Sequence, residues 1–118
     1  MDYENKFIAV AIKKGIKHAE LELEILRSIE ENPNLTQREM AKDLDMSLGK
    51  TNYLIQALLK KGFVMVDNFR TSDNKLGYLY LLTPEGIEIK RNLTILFLQR
   101  KSEEFDKLKK EMDRIKNL

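Results

Sequence analysis

The spacing of apolar residues changes several times along the chain, and each change marks an element. Between Lys17 and Glu31, the residues Ala19, Leu21, Leu23, Ile25, Leu26 and Ile29 alternate over LELEI but also fit a helical stripe. Length and the Glu-rich composition favour a helix, with Ala19, Leu23, Leu26 and Ile29 on its inner face. It ends at Asn32-Pro33, because the residue before a proline is pushed out of the α region. Upstream, FIAVAI alone has strand character, whereas Ile8, Ile12, Ile16, Ala19 and Leu23 form one continuous helical stripe. The stripe predicts that residues 1–16 are a helical, apolar segment extending the same helix and offering a surface to a partner subunit.

After Pro33, Thr36 followed by Glu39 forms a capping box, and Leu35 with Met40 fits a hydrophobic staple. A short helix follows, with Met40, Ala41 and Leu44 inward. It stops within residues 43–46, and Ser47 caps the next helix. That helix runs to Lys61, where Gly62 supplies a residue able to take positive φ. The runs FVMVDNF and KLGYLYLLT, separated by RTSDN, predict an antiparallel hairpin. Thr83-Pro84-Glu85 then restarts a helix with a cap, a first-turn proline and a first-turn acid. No proline follows, so this helix continues to the C-terminus and is on the order of 50 Å long at 1.5 Å per residue.

Helix, short helix, helix, hairpin and long helix, in that order, predict an α+β fold that is mostly α. It is a winged helix-turn-helix over 17–83 with a long C-terminal dimerisation helix over 84–118. On a helical wheel of residues 47–61, Thr51, Leu54, Ile55 and Leu58 gather on one side and form the core face. Gly49, Tyr53, Gln56 and Lys60 lie opposite, flanked by Lys50, Asn52 and Ala57, with no acidic residue among them. That face suits a major groove. Asn and Gln pair bidentately with adenine, Lys reaches guanine, and a Tyr ring packs on a thymine methyl. Small residues near the helix start let the backbone approach a phosphate. Arg38, Lys60 and Lys61 supply positioning charge, and Arg70 and Lys75 flank the hairpin tip. A polar face that only keeps the protein soluble is the alternative.

Charge adds support only through its distribution, because 21 basic and 19 acidic residues leave a net charge of +2. Residues 1–33 carry 5 basic and 7 acidic side chains, residues 34–82 carry 7 and 5, and residues 83–118 carry 9 and 7. The basic excess begins at Asn34. Catalysis is not expected: there is no cysteine, the five glycines are scattered singly, and the one histidine, His18, reads as a partly solvated helix residue. The alternation of Glu20, Glu22 and Glu24 reads as a solvated face. No metal, cofactor or membrane span is expected, and the absence of cysteine fits a cytoplasmic protein.

From about Leu23 onward the chain resembles the MarR-type winged-helix transcriptional regulators, within them the small branch associated with extracellular polysaccharide (EPS) loci. The resemblance is carried by LTQREMAKDLDMSLGKTNYLIQALLKKGFV and FRTSDNKLGYLYLLTPEGI, most particularly by SLGKTNY and NKLGYLYLLTPEGI. It implies a recognition helix at 47–61, a wing at 67–76 and a supporting helix at 36–43. Residues expected at DNA are Gln37, Arg38, Ser47, Gly49, Lys50, Asn52, Tyr53, Gln56, Lys60, Arg70, Asn74 and Lys75. The chain departs from the wider family at Leu48, often polar there, and at Asp73, Asn74 and Lys75, where that family tends to carry an Asp and paired arginines.

In the last helix, Leu98, Phe105 and Met112 form one seven-residue series, and Lys101, Leu108 and Ile115 form the other. That is a coiled-coil seam with one polar position. Either the seam joins two subunits or it packs on the first helix of its own subunit. The intersubunit reading predicts a homodimer joined through Leu98, Phe105, Leu108, Met112 and Ile115, parallel because Glu104 and Glu111 then face Lys109 and Lys116 of the other copy. The expected function is sequence-specific binding of double-stranded DNA at a near-palindromic operator, regulating transcription, by resemblance of polysaccharide genes. The alternative is a winged-helix protein-interaction module that does not bind DNA.

Overall fold

A computed structural model describes residues 13–70 and 76–118, with side chains over 13–67 and 79–118. Its elements are α1 (Ile16–Glu31), α2 (Gln37–Asp43), α3 (Leu48–Lys60), β1 (Val64–Arg70), β2 (Leu76–Leu82) and α4 (Pro84–Lys116). The strands pair antiparallel in one ladder, Val64 opposite Leu82 and Arg70 opposite Leu76. This is the expected winged helix-turn-helix carrying a long C-terminal helix.

The short elements are fixed by their ends. At α2, the Thr36 hydroxyl accepts from the Glu39 N–H at 3.1 Å and the Glu39 carboxylate accepts from the Thr36 N–H at 3.2 Å, completing the capping box. The turn after α2 closes with Met46 N–H on the Ala41 carbonyl and Asp45 N–H on the Lys42 carbonyl. That pairing leaves Asp45 at φ 53, a left-handed position that Asp tolerates better than bulkier residues. The same arrangement ends α3, with Phe63 N–H on the Leu58 carbonyl and Gly62 at φ 77. Two such turns aim α3 relative to α2 and to the hairpin.

The core gathers around α1, whose Ala19, Leu23, Ile25, Leu26 and Ile29 are all buried. Met40 of α2, Leu54, Ile55 and Leu58 of α3, Phe63 and Val64, Tyr80 of β2, and Ile89, Leu93 and Phe97 of α4 close over it. Ile25 lies outside the inward stripe read from the sequence, because α1 is covered by α3, β2 and α4 on more than one side. Gly86 seats α4: a Cβ there would stand 1.9 Å from the Phe63 carbonyl oxygen. Thr83 reinforces this seat, donating its N–H to the Phe63 carbonyl and its hydroxyl to the Gly62 carbonyl.

Two expectations change. The helix does not extend upstream of Ile16 through the described residues, because Gly15 takes φ 111 and α1 begins at Ile16. Residues 1–12, on which the rest of that expectation falls, lie outside the described residues. The C-terminal helix also does not separate from the winged domain at residue 84. Its first half is core through Ile89, Leu93 and Phe97, and only from Leu98 onward is every residue exposed.

Candidate nucleic-acid interface

The exposed face of α3 is the feature the fold leaves open. Ser47 caps the helix, its hydroxyl accepting from the Lys50 N–H at 3.0 Å. Thr51, the one polar residue on the buried side, donates its hydroxyl to the Ser47 carbonyl at 2.9 Å and so enters the core with its donor satisfied. Leu54, Ile55 and Leu58 beside it are fully buried. Outside stand Gly49, Lys50, Asn52, Tyr53, Gln56 and Lys60, all exposed. The helix Leu48–Lys60 contains no acidic residue.

Gly49 stands out on that face. No atom outside its own stretch of helix lies within 4 Å of where a Cβ would sit. The fold therefore does not require glycine there, although glycine in a helix costs about 1 kcal/mol relative to alanine. What the missing side chain leaves is room for another molecule to approach the first turn of α3.

Tyr53 is 46% exposed and has two ammonium groups beside its ring, Lys14 Nζ at 5.0 Å and Lys50 Nζ at 5.6 Å from the centroid. Lys14 also donates to the Tyr53 hydroxyl. That hydrogen bond and the charge of Lys14 lower the phenol below its usual 10.0, with Lys50 adding to the effect. His18 meets the same ring edge-on at 6.1 Å. Lys14 had no place in the reading of the sequence, because only the fold brings the turn before α1 against α3.

Other expected contacts are placed differently. Arg38 is exposed on α2, whereas Gln37 is half-buried and its amide donates to the Tyr80 hydroxyl at 2.9 Å, tying α2 to β2. Lys61 is not a free positioning charge: its ammonium lies 2.7 Å from a carboxylate oxygen of Glu22. Glu22 in turn is 1% exposed, so the solvated face expected for Glu20, Glu22 and Glu24 fails at its middle member. His18 Nε2 lies 2.6 Å from the same oxygen, its side chain only 10% exposed. A signal for this was present, since Ala19, Glu22, Leu23 and Leu26 share helical spacing and make Glu22 part of the inward stripe. Arg70 ends β1, and its side chain, with Asn74 and Lys75, lies outside the described residues.

Along α4, Leu98, Phe105, Leu108 and Ile115 are 65 to 68% exposed and Met112 48%. Leu98 borders a groove with Leu23 and Glu24 of α1, whereas Phe105, Leu108, Met112 and Ile115 stand uncovered among the described residues. Lys101, the polar position of the seam, points instead toward Glu20 of α1, with 3.9 Å between the charged atoms. Among the described residues no cluster of His, Asp and Glu is arranged to hold a metal ion, and no helix is long and apolar enough to cross a membrane.

Residues 19–65, from α1 into β1, match the family model for winged helix-turn-helix DNA-binding domains. Comparison with curated protein sequences finds no match. Among solved structures, the chain is similar to a mutant MarR from E. coli complexed with operator DNA, at 27% identity and a TM-score of 0.56, covering 71% of this chain and 59% of that one. It is similar to Staphylococcus aureus MarR in complex with salicylate and kanamycin, at 19% identity and a TM-score of 0.55, covering 73% and 56%. The S. aureus MepR–DNA complex gives 18% identity and a TM-score of 0.58, covering 89% and 82%. The chain thus spans little more than half the length of the two MarR chains. The likeness is one of fold: a winged helix-turn-helix joined to a long helix.

Proposed function

We propose that the chain is a sequence-specific, double-stranded-DNA-binding transcriptional regulator that acts as a homodimer, α3 entering the major groove and the β1–β2 hairpin lying along the backbone. The observation that carries this reading is the exposed face of α3. It presents Asn52, Tyr53 and Gln56 for base edges, Lys50 and Lys60 for phosphates, no acid, and a glycine that the fold does not need. The MarR and MepR structures with DNA support the reading by their shared fold.

A second copy is the partner that best suits the exposed seam of α4. A helix carrying Leu98, Phe105, Leu108, Met112 and Ile115 at steps of three and four buries that stripe most simply against its own symmetry mate. In a parallel pair, Glu104 and Glu111 of one copy meet Lys109 and Lys116 of the other; an antiparallel pair would oppose like charges. Two α3 helices then present themselves to half-sites about 34 Å apart, on a near-palindromic operator. Polysaccharide-related genes as targets rest on the resemblance of SLGKTNY and NKLGYLYLLTPEGI to the EPS-associated branch.

Selection of bound sites from a random duplex library tests binding, specificity and half-site spacing together. The expected result is an enriched inverted repeat whose binding weakens steeply with salt. In variants of the full chain, Asn52→Ala changes the preferred base at one position of each half-site, a discrimination of about 1–3 kcal/mol. Arg38→Gln weakens all sequences alike and lowers the salt slope. No enrichment, with affinity confined to the non-specific range of about 10⁻⁴–10⁻⁶ M, would overturn the reading and favour a protein-interaction module.

A further inference from the structure

We infer that Lys14, in the turn that precedes α1, contacts the DNA backbone together with Lys50, so that the DNA-facing surface extends beyond the helix-turn-helix to the start of the first helix. This rests on the DNA-binding reading above and names a phosphate contact within that same site.

The geometry begins with Tyr53. Lys14 lies 39 residues away in sequence, yet its ammonium donates to the Tyr53 hydroxyl on the exposed face of α3. An ammonium has three N–H donors, and the phenol engages one. Lys14 and Lys50 are both exposed beside one half-exposed ring, so two cations stand where α3 presents its first turns. A neutral phenol does not balance them. A phosphodiester does, and the ring gives the lysine stems an apolar surface to lie on.

The direction of α1 strengthens this. Lys14 and His18 meet Tyr53, and further along Glu22 meets Lys61, so α1 and α3 advance in the same sense along their contact. Their N-termini therefore lie toward the same end of the domain, and both helix dipoles turn their positive poles there. Among the described residues, the α1 terminus carries no acid of its own to offset this field. Gly15 provides no side-chain cap, and the first turn carries no acid. Lys13, Lys14 and Lys17 are exposed, and the stretch Lys13 to Ala19 holds no carboxylate. Among the described residues, Glu22 of α1 faces α3 but is buried against Lys61 and His18. Gly15 itself is required by the local backbone, at φ 111, and directs the chain so that Lys14 reaches α3.

The test measures binding of the full chain to a mixed-sequence 30-base-pair duplex, and to the best duplex from the library selection, over a series of salt concentrations. Lys14→Gln is compared with wild type and with Lys110→Gln, an exposed charge removed from α4 as a control. Loss of one phosphate contact lowers the slope of log K against log salt by about 0.9 and weakens both duplexes by the same factor. A Lys14→Gln protein with the slope and affinity of the Lys110→Gln control overturns the inference. So does a changed base preference at unchanged salt slope that matches Tyr53→Phe, since Lys14 would then act only by positioning the phenol. Wild-type protein that binds neither duplex overturns the DNA reading itself, an outcome distinct from wild type binding with Lys14→Gln unchanged. Circular dichroism melts establish that the variants are folded.

Discussion

The Glu22 carboxylate of α1 lies 2.7 Å from the Lys61 ammonium that follows α3, with the acid 1% and the base 17% exposed. This pair ties the far end of α3 to the centre of the core. The second carboxylate oxygen of Glu22 is buried without a hydrogen-bond partner among the described residues, so the site has little reserve. Removing the cation strands a buried charge, whereas removing the acid frees a lysine that can reach water.

The consequence is an asymmetry between the two single substitutions. Lys61→Met is expected to cost on the order of 3 kcal/mol, and Glu22→Gln clearly less. The double variant Glu22→Gln with Lys61→Met should recover part of the loss. Urea denaturation of the four proteins, read as a double-mutant cycle, measures the coupling. Additive effects would show that the contact contributes nothing specific.

Two glycines predict opposite outcomes for the same substitution. At Gly86 a Cβ would stand 1.9 Å from the Phe63 carbonyl oxygen, which is backbone and cannot step aside. Gly86→Ala should therefore unseat the start of α4 and cost about 3 kcal/mol or more, seen as a large drop in thermal midpoint. At Gly49 no atom of the surrounding fold would meet a Cβ.

Gly49→Ala should accordingly stabilise the fold by about 0.5–1 kcal/mol, through helix propensity alone. The same methyl obstructs close approach at the first turn of α3, so DNA affinity should fall while the melting temperature rises. A stabilised variant with undiminished affinity would mean that the backbone of Gly49 is not approached.

Tyr53 supplies a pH-dependent signature. Its phenol is lowered below 10.0, first by the Lys14 hydrogen bond and charge. Below the lowered value the group is neutral both folded and unfolded and contributes nothing. As pH rises from there toward 10.0 the folded chain has released the proton and the unfolded chain still holds it, so stability from this group grows across that window. Ultraviolet titration of phenolate absorbance should show an early-titrating component, absent in Tyr53→Phe and moved upward in Lys14→Gln.

For the seam on α4, Leu108→Glu is expected to convert a dimer to a monomer at micromolar concentration in sedimentation. Leu108 is 65% exposed within one chain, so the monomer should retain its helix content and melting cooperativity. Exchanging Glu104 and Glu111 for lysine should weaken the dimer, and adding Lys109→Glu and Lys116→Glu should restore it if the pairing is parallel. A wild-type monomer under these conditions would remove the dimer from the proposed function.

The elements of this fold and most of the surface proposed to face DNA are written locally. Capping at Thr36, Ser47 and Thr83, the break at Pro33, the positive φ of Gly62 and the apolar stripe Thr51, Leu54, Ile55 and Leu58 each depend on a few neighbouring residues, and local chemistry suffices to place them. The exposed set of α3 follows from the same wheel. Contacts between residues distant in sequence had no such signal. Glu22 shares the spacing of the inward stripe, but its partner does not show there; only the approach of α3 supplies Lys61 and makes its burial tolerable. The helical stripe predicted upstream of Ile16 takes no account of Gly15, whose φ of 111 precedes the start of α1 and sends Lys14 to Tyr53. Nothing local marks Gly86 as indispensable; the Phe63 carbonyl packed against it does. The sequence by itself determined where the helices and strands lie and which face of α3 stays outside, because these are short-range effects of propensity and periodicity. Only the tertiary structure decided which charges are buried and which remain free, because burial and pairing depend on what another element brings to the same place.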